Sequence, residues 1–333
     1  MKGIPVFTLE FLNLPLRYEW KLSRNTSFEK TNGLISLSYG GRCAKGEIAP
    51  NVRYQESPER VKSEFETALP QIENRLAAGL PWDLVLEGLD LCQALRTGLD
   101  MAWQNLQAIT LGSSVAAGFG IKEPGPREIC YTIPVMEPGR ISAFIKEQNL
   151  SRFAWLKIKV NAATAREMTE QVMLHFDGKI AIDGNEAWTD PDDLMAFIDW
   201  LPPDRILFLE QPFPSSMREA YPRLKERSGI EIWGDESILG TSEPDYWKSA
   251  FSGINVKLMK AGSMAMAVQM LKDARNAGLK TMIGCMVETS LGIAAAMQLE
   301  SLADFMDLDG FLLLQHEPFG FVEERDGMVF LTA

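Results

Sequence analysis

Residues 179–210 read KIAIDGNEAWTDPDDLMAFIDWLPPDRILFLE. A short apolar strand, KIAID, closes on Asp183; a polar turn and a helical segment follow, and a second apolar strand, RILFLE, closes on Glu210. The same unit recurs on either side, at about 20 to 30 residues per repeat. Its strands are EICYTIPV (128–135), FAWLKIKV (153–160), KIAID, RILFLE, EIWGDE (231–236), GINVKLM (253–259), KTMIGC (280–285) and a short FMDLD (305–309). Eight continuous apolar strands alternating with helices predict a closed parallel barrel, which carries its chemistry at the C-terminal strand ends. The alternative, an open doubly wound sheet, lacks its signature: neither GGRCAKG nor GFGIKEPG is a strand-linked GxGxxG.

Upstream of the barrel the pattern changes. LRYEWKLS (16–23) and LISLSYG (34–40) read as strands, whereas SPERVKSEFETALPQIENRLAAG (57–79) and LDLCQALRTGLDMAWQNLQAI (89–109) have apolar residues spaced near 3.6. The Gly- and Pro-rich LGSSVAAGFGIKEPGPRE (111–128) then sets a boundary near residue 126. The expectation is an α+β capping domain over residues 1–126, a (β/α)7β TIM-type barrel over 127–314, and a tail, 315–333, that returns to the cap.

Bulk composition excludes several function classes. With 46% hydrophobic residues in 333, the chain is globular. No signal-like leader and no apolar run of about 18 residues occurs, so a cytoplasmic protein that does not engage a membrane is expected. A net charge of -12 argues against nucleic acid as a partner. Cys43, Cys92, Cys130 and Cys285 are scattered without zinc spacing and read as reduced, packed thiols. Only two histidines occur, His175 late in a helix and His316 in the tail, both read as surface or interface residues. Serine or cysteine triads and multi-histidine metal sites are thereby hard to build, and Lys, Asp, Glu or Tyr must move protons.

Charged residues close the strands. One such residue ordinarily marks a solvated loop start, but here they recur: Lys157 and Lys159 on the second strand, Asp183, Glu210, Asp235 with Glu236, Lys257 on the sixth, and Asp307 and Asp309 on the eighth. Asp183, Glu210 and Asp235 stand on three consecutive strands, and an all-oxygen set selects a hard cation, Mg2+. Lys159 and Lys257, four strands apart in a ring of eight, face each other across the mouth. One can take the α-proton of a metal-bound carboxylic acid and the other return a proton from the opposite face, while Lys157 and the metal stabilise the charge between.

WLKIKV, IAIDGNEAW, FLEQPF, WGDES, NVKLMKAG and GCMVETSLG, in that order, resemble the muconate-lactonizing-enzyme subgroup of the enolase superfamily, and SLSYGGRCAKGEIAP (36–50) resembles its capping-domain strand and GE-x-x-P turn. The resemblance implies the roles just given for the metal ligands and the lysines, and makes Asn185 and Glu236 supporting residues around them. One departure is KAGS (260–263), where Ser263 replaces the usual second glycine, a change that bears on loop conformation.

The subgroup includes cycloisomerases, o-succinylbenzoate synthases, N-acylamino acid racemases and dipeptide epimerases. ADFMDLDGFLLL (303–314) resembles the last of these, in which an Asp-x-Asp pair binds a free α-ammonium; here the pair is Asp307 and Asp309. A carboxylate at the metal and an ammonium across the mouth define a ligand of about two residues, roughly 7 Å. A DLDG turn that only closes the barrel is the plainer reading. The expected reaction is epimerisation of a dipeptide such as L-Ala-L/D-Glu, with a lyase or cycloisomerase, or a non-catalytic metal-binding scaffold, as alternatives. Arg24, in KLSRNTS, falls in the family's mobile first loop and can pair with a second carboxylate or serve the loop alone; Tyr54, in NVRYQES, can supply an apolar wall. Self-association into a homo-oligomer is left open.

Overall fold

The computed structural model describes residues 4–21 and 26–332. An antiparallel meander comes first: β1 (Val6–Lys21), β2 (Thr26–Tyr39) and β3 (Arg42–Ile48). Strand periodicity predicts only two strands here. The third, RCAKGEI, is charged and lacks β-branched residues apart from Ile48, and it is held by packing: a Cβ on Gly46 would stand 2.0 Å from the Gly98 carbonyl oxygen, so β3 lies directly on helix Gln93–Leu111. The other long helix, Pro58–Ala77, starts where Ser57 Oγ accepts from Arg60 N at 3.2 Å and Pro58 occupies the first turn.

After β4 (Arg127–Glu128), eight parallel strands follow: β5 (Tyr131–Ile133), β6 (Trp155–Lys159), β7 (Lys179–Asp183), β8 (Ile206–Glu210), β9 (Ile232–Gly234), β10 (Gly253–Lys257), β11 (Lys280–Gly284) and β12 (Phe305–Asp307). They lie side by side in chain order. Cys130 N donates to Met306 O at 3.3 Å across the remaining seam, so the ring is nearly closed. Seven helices, Ile141–Glu147, Ala165–His175, Pro191–Trp200, Ala220–Arg227, Pro244–Ala250, Met264–Asn276 and Ser290–Met297, connect successive strands, which is the expected (β/α)7β barrel. Ser263 is extended, with φ -163°, and its Oγ accepts from Met266 N at 3.1 Å; the serine in KAGS caps the next helix without distorting the loop. The chain ends in a hairpin, β13 (Val322–Arg325) and β14 (Met328–Leu331), paired with β4, while Gln315 N donates to Pro15 O at 2.9 Å.

Inside the barrel, Trp155, Phe208, Trp233 and Met282 pack with Phe305 into an aromatic floor. Phe208 and Trp233 stack at 4.4 Å between centroids. A Cβ on Gly253 would come within 2.4 Å of the Trp233 ring, so the glycine makes the indole's space. All four cysteines are free; Cys92, Cys130 and Cys285 are buried, but Cys43, beside the β2–β3 turn, is exposed, contrary to the packed reading. His175 and His316 are both exposed. Among the described residues no helix is long and apolar enough to cross a membrane.

Candidate active site

Alternation along each strand carries the floor into a charged mouth. Two residues beyond Trp155 stands Lys157, beyond Ala181 Asp183, beyond Phe208 Glu210, beyond Trp233 Asp235, and beyond Phe305 Asp307. All five charged side chains are buried. Oxygen atoms of Asp183, Glu210 and Asp235 lie within 4.8 Å of one another, the geometry of a shared cation site.

Lys157, 1% exposed, reaches into this group. Its Nζ is 2.8 Å from Asp307 Oδ2, 2.8 Å from Glu210 Oε2 and 3.2 Å from Asp183 Oδ2. The Glu210 contact lacks hydrogen-bond alignment, leaving Oε2 buried without a hydrogen-bond partner, as suits an oxygen aimed at a cation. The donor set is therefore all-oxygen, convergent and incompletely satisfied, and it fits a hard divalent ion. Burial, reinforced by the neighbouring acids against Lys157, raises Glu210 to about 7. Against the same upward push of burial, Lys157 and Lys159 hold Asp183 at about 2. Asp235 is pulled down further, where Lys257 and Lys260 outweigh burial.

The two lysines flank this group. Lys159 Nζ is 2.6 Å from Asp183 Oδ2 and 3.0 Å from Asn185 Oδ1, and Lys257 Nζ is 3.0 Å from Asp235 Oδ2. Burial alone would lower the Lys257 pKa, but Asp235 reverses it and the ammonium is favoured. Asn185, in left-handed backbone at φ 43°, donates from Nδ2 to Glu236 Oε1 at 3.1 Å and so ties Lys159 to the β9 end. Burial and the neighbouring Asp235 raise Glu236 to about 8.

Asp307 and Asp309 adjoin the opposite rim. Asp309 Oδ2 accepts from Thr132 N at 2.5 Å, and burial with Asp307 nearby raises its carboxyl to about 6. In Asp307, Lys157 overrides the upward effect of burial and holds the carboxyl low. Both carboxyls, with Lys159, Lys257, Asp235 and Tyr54, line one cavity of about 330 Å3, room for a small molecule. Tyr54 is raised above an ordinary tyrosine by burial and by Asp235 and Glu236. Arg24 lies outside the described residues.

Two participants escape a strand-end reading. Lys260, on the single helical turn Leu258–Ala261, bonds Asp235 through both its carboxylate and its carbonyl oxygen and is 1% exposed. The signal was a lysine in an otherwise apolar LMKA. Arg53, next to Tyr54, forks onto Glu186 with two 2.8 Å bonds and reaches Ser215 Oγ at 3.1 Å, fastening the cap loop to two barrel loops.

The sequence matches the model of the enolase C-terminal domain-like family over residues 141–324. It is 38% identical over 335 residues to an L-Ala-D/L-amino acid epimerase of Pedosphaera parvula, covering 96% of this chain and 94% of that one. To an L-Ala-D/L-Glu epimerase of Bacteroides thetaiotaomicron it is 33% identical over 239 residues, 72% of this chain and 62% of the relative. Its fold superimposes with a TM-score of 0.89, at 26% identity and over 99% of this chain and 98% of the other, on an enolase family member from Agrobacterium tumefaciens described as homologous to dipeptide epimerases, with sodium and L-Ala-L-Glu bound.

Proposed function

The chain belongs to the enolase C-terminal domain-like family, and from that premise we propose that it is a Mg2+-dependent dipeptide epimerase. The observation that carries the reading is one cavity lined by Lys159, Lys257, Asp235 and the Asp307–Asp309 pair, with Asp183 and Glu210 converging on Asp235 at its edge. There Asp183, Glu210 and Asp235 would hold Mg2+, and the dipeptide's α-ammonium is received by Asp307 and Asp309. The names of the relatives support that substrate class.

When bound, Mg2+ supplies Lewis-acid charge to the substrate carboxylate. Lys159 and Lys257 work on opposite faces of the second residue's α-carbon, one removing its proton and the other, as the ammonium, delivering one to the far side. Lys157 donates toward the carboxylate as charge builds there. Lys260 holds Asp235 in place from behind, and Asn185 and Glu236 set the orientation of Lys159. Tyr54 forms part of the cavity wall under the Arg53 fork. In the same reading residues 1–126 with 315–333 form the cap over a barrel of 127–314, supported by the Gln315 bonds to Pro15 O and Leu16 O; the free, buried cysteines support a cytoplasmic site of action.

Incubating L-Ala-L-Glu and other dipeptides in D2O and following mass and stereochemistry tests this. Deuterium should enter the second residue's α-position with formation of the D-epimer, stop in EDTA and return with Mg2+. Faster turnover of N-acylated amino acids than of free dipeptides would move the assignment to a racemase or o-succinylbenzoate synthase and sink the ammonium role of Asp307 and Asp309.

A further inference from the structure

The cavity is lined by four described cations, Lys30, Arg53, Lys159 and Lys257. Three of them have carboxylate partners: Arg53 has Glu186, Lys159 has Asp183 and Lys257 has Asp235. Lys30 differs. Its Nζ donates to Ser27 Oγ at 3.1 Å, and among the described residues it has no ion-pair partner. Burial pushes its ammonium below the ordinary lysine value with nothing acidic to offset the effect. A half-buried lysine that turns into a ligand cavity without a counterion carries a cost unless a ligand supplies the charge.

Its position follows from the cap's register. Lys30 stands opposite Leu14 on the β1–β2 ribbon, so both side chains share one face of it, and Leu14 is buried. Two residues on, Asn32 Nδ2 donates to Val287 O at 3.0 Å and to Glu47 Oε1 at 2.8 Å, pinning that face to the β11 end of the barrel. Lys30 is thus held above the mouth on an anchored strand.

Substrate geometry then identifies what Lys30 meets, on the proposed reading of the site. When the α-proton has left, the second residue's α-carbon is planar, with the two lysines above and below. One in-plane bond leads to the carboxylate at the acidic group, and one leads through the peptide nitrogen toward Asp307 and Asp309. The third, to the side chain, is left to point toward the cap. We propose that Lys30 receives a carboxylate on the side chain of the dipeptide's second residue and makes the protein selective for acidic residues there.

The test compares kcat/KM for L-Ala-L-Glu and its neutral isostere L-Ala-L-Gln in the native protein, Lys30→Met and Lys30→Arg. Lys30→Met should lose about 30-fold or more on L-Ala-L-Glu while L-Ala-L-Gln changes little, and Lys30→Arg should restore most of the difference. Lys30→Glu should shift preference toward L-Ala-L-Lys. Equal losses on both substrates would make Lys30 a structural residue, and no loss on L-Ala-L-Glu would remove it from recognition; either result overturns the proposal while leaving dipeptide epimerisation intact. If the native protein turned over neither dipeptide but epimerised others, this inference would fall and the epimerase reading would stand; if it epimerised no dipeptide at all, both would fall.

Discussion

The same strands build two opposite interiors. At the floor, Trp155, Phe208, Trp233 and Phe305 meet face to edge and face to face, with centroids 4.4 to 6.2 Å apart. One alternation step later, at the mouth, Lys157, Asp183, Glu210, Asp235 and Asp307 are packed just as tightly as charges. The floor is stabilising by itself, since burying aromatic rings removes apolar area from water. The mouth is not: each ion loses hydration, and mutual attraction only approximately offsets this. The barrel therefore invests stability at one end in holding, at the other, an arrangement no isolated strand would adopt.

The largest effect expected breaks the mouth without touching the floor. Lys159→Ala or Lys257→Ala should cut epimerisation by about a thousandfold or more, while the remaining lysine still exchanges the α-proton of one epimer with D2O. Thermal unfolding should be little changed in both variants. Retention of near-native epimerisation by either would exclude the two-base mechanism.

A floor substitution should do the converse. Trp233→Ala removes a fully buried indole from the Phe208 stack and should cost about 3 to 5 kcal/mol in denaturant unfolding. Activity per folded molecule should persist. A variant equally stable but inactive would mean that floor and mouth are not separable.

The smallest effect concerns Glu288, a mouth-side carboxyl beyond β11. Its Oε1 accepts from Met286 N at 2.7 Å, and burial followed by the neighbouring Glu47 raises its pKa from the ordinary 4.5 to about 8. The unfolded chain ionises first, so the stability tied to the protonated form is whole below about pH 4.5 and is lost as pH rises to about 8. Between pH 6 and 9 the native protein should lose roughly 3 kcal/mol by this route, and Glu288→Gln should lose less. Parallel melting curves at the two pH values would show that Glu288 does not titrate in this range.

The sequence by itself determined the barrel and where its charged side chains stand. Strand period decides which side chains face inward, and apolar runs closing on Lys157, Lys159, Asp183, Glu210, Asp235, Lys257, Asp307 and Asp309 mark where the barrel's interior ends; all eight reach the mouth, because both properties are local. Strand β3 was illegible because its place depends on Gly46 meeting Gly98, fifty-two positions away, and not on its own propensity. Which charges pair was decided only by tertiary structure. Lys260 turns back onto Asp235, Arg53 crosses to Glu186 over 133 positions, and Glu47 accepts from Thr289 over 242. Lys30 is notable only because, among the described residues, those pairings leave it without a carboxylate. Periodicity fixes a side chain's direction, but its partner, and hence its charge state and its use, depends on what chain closure brings within a few ångströms.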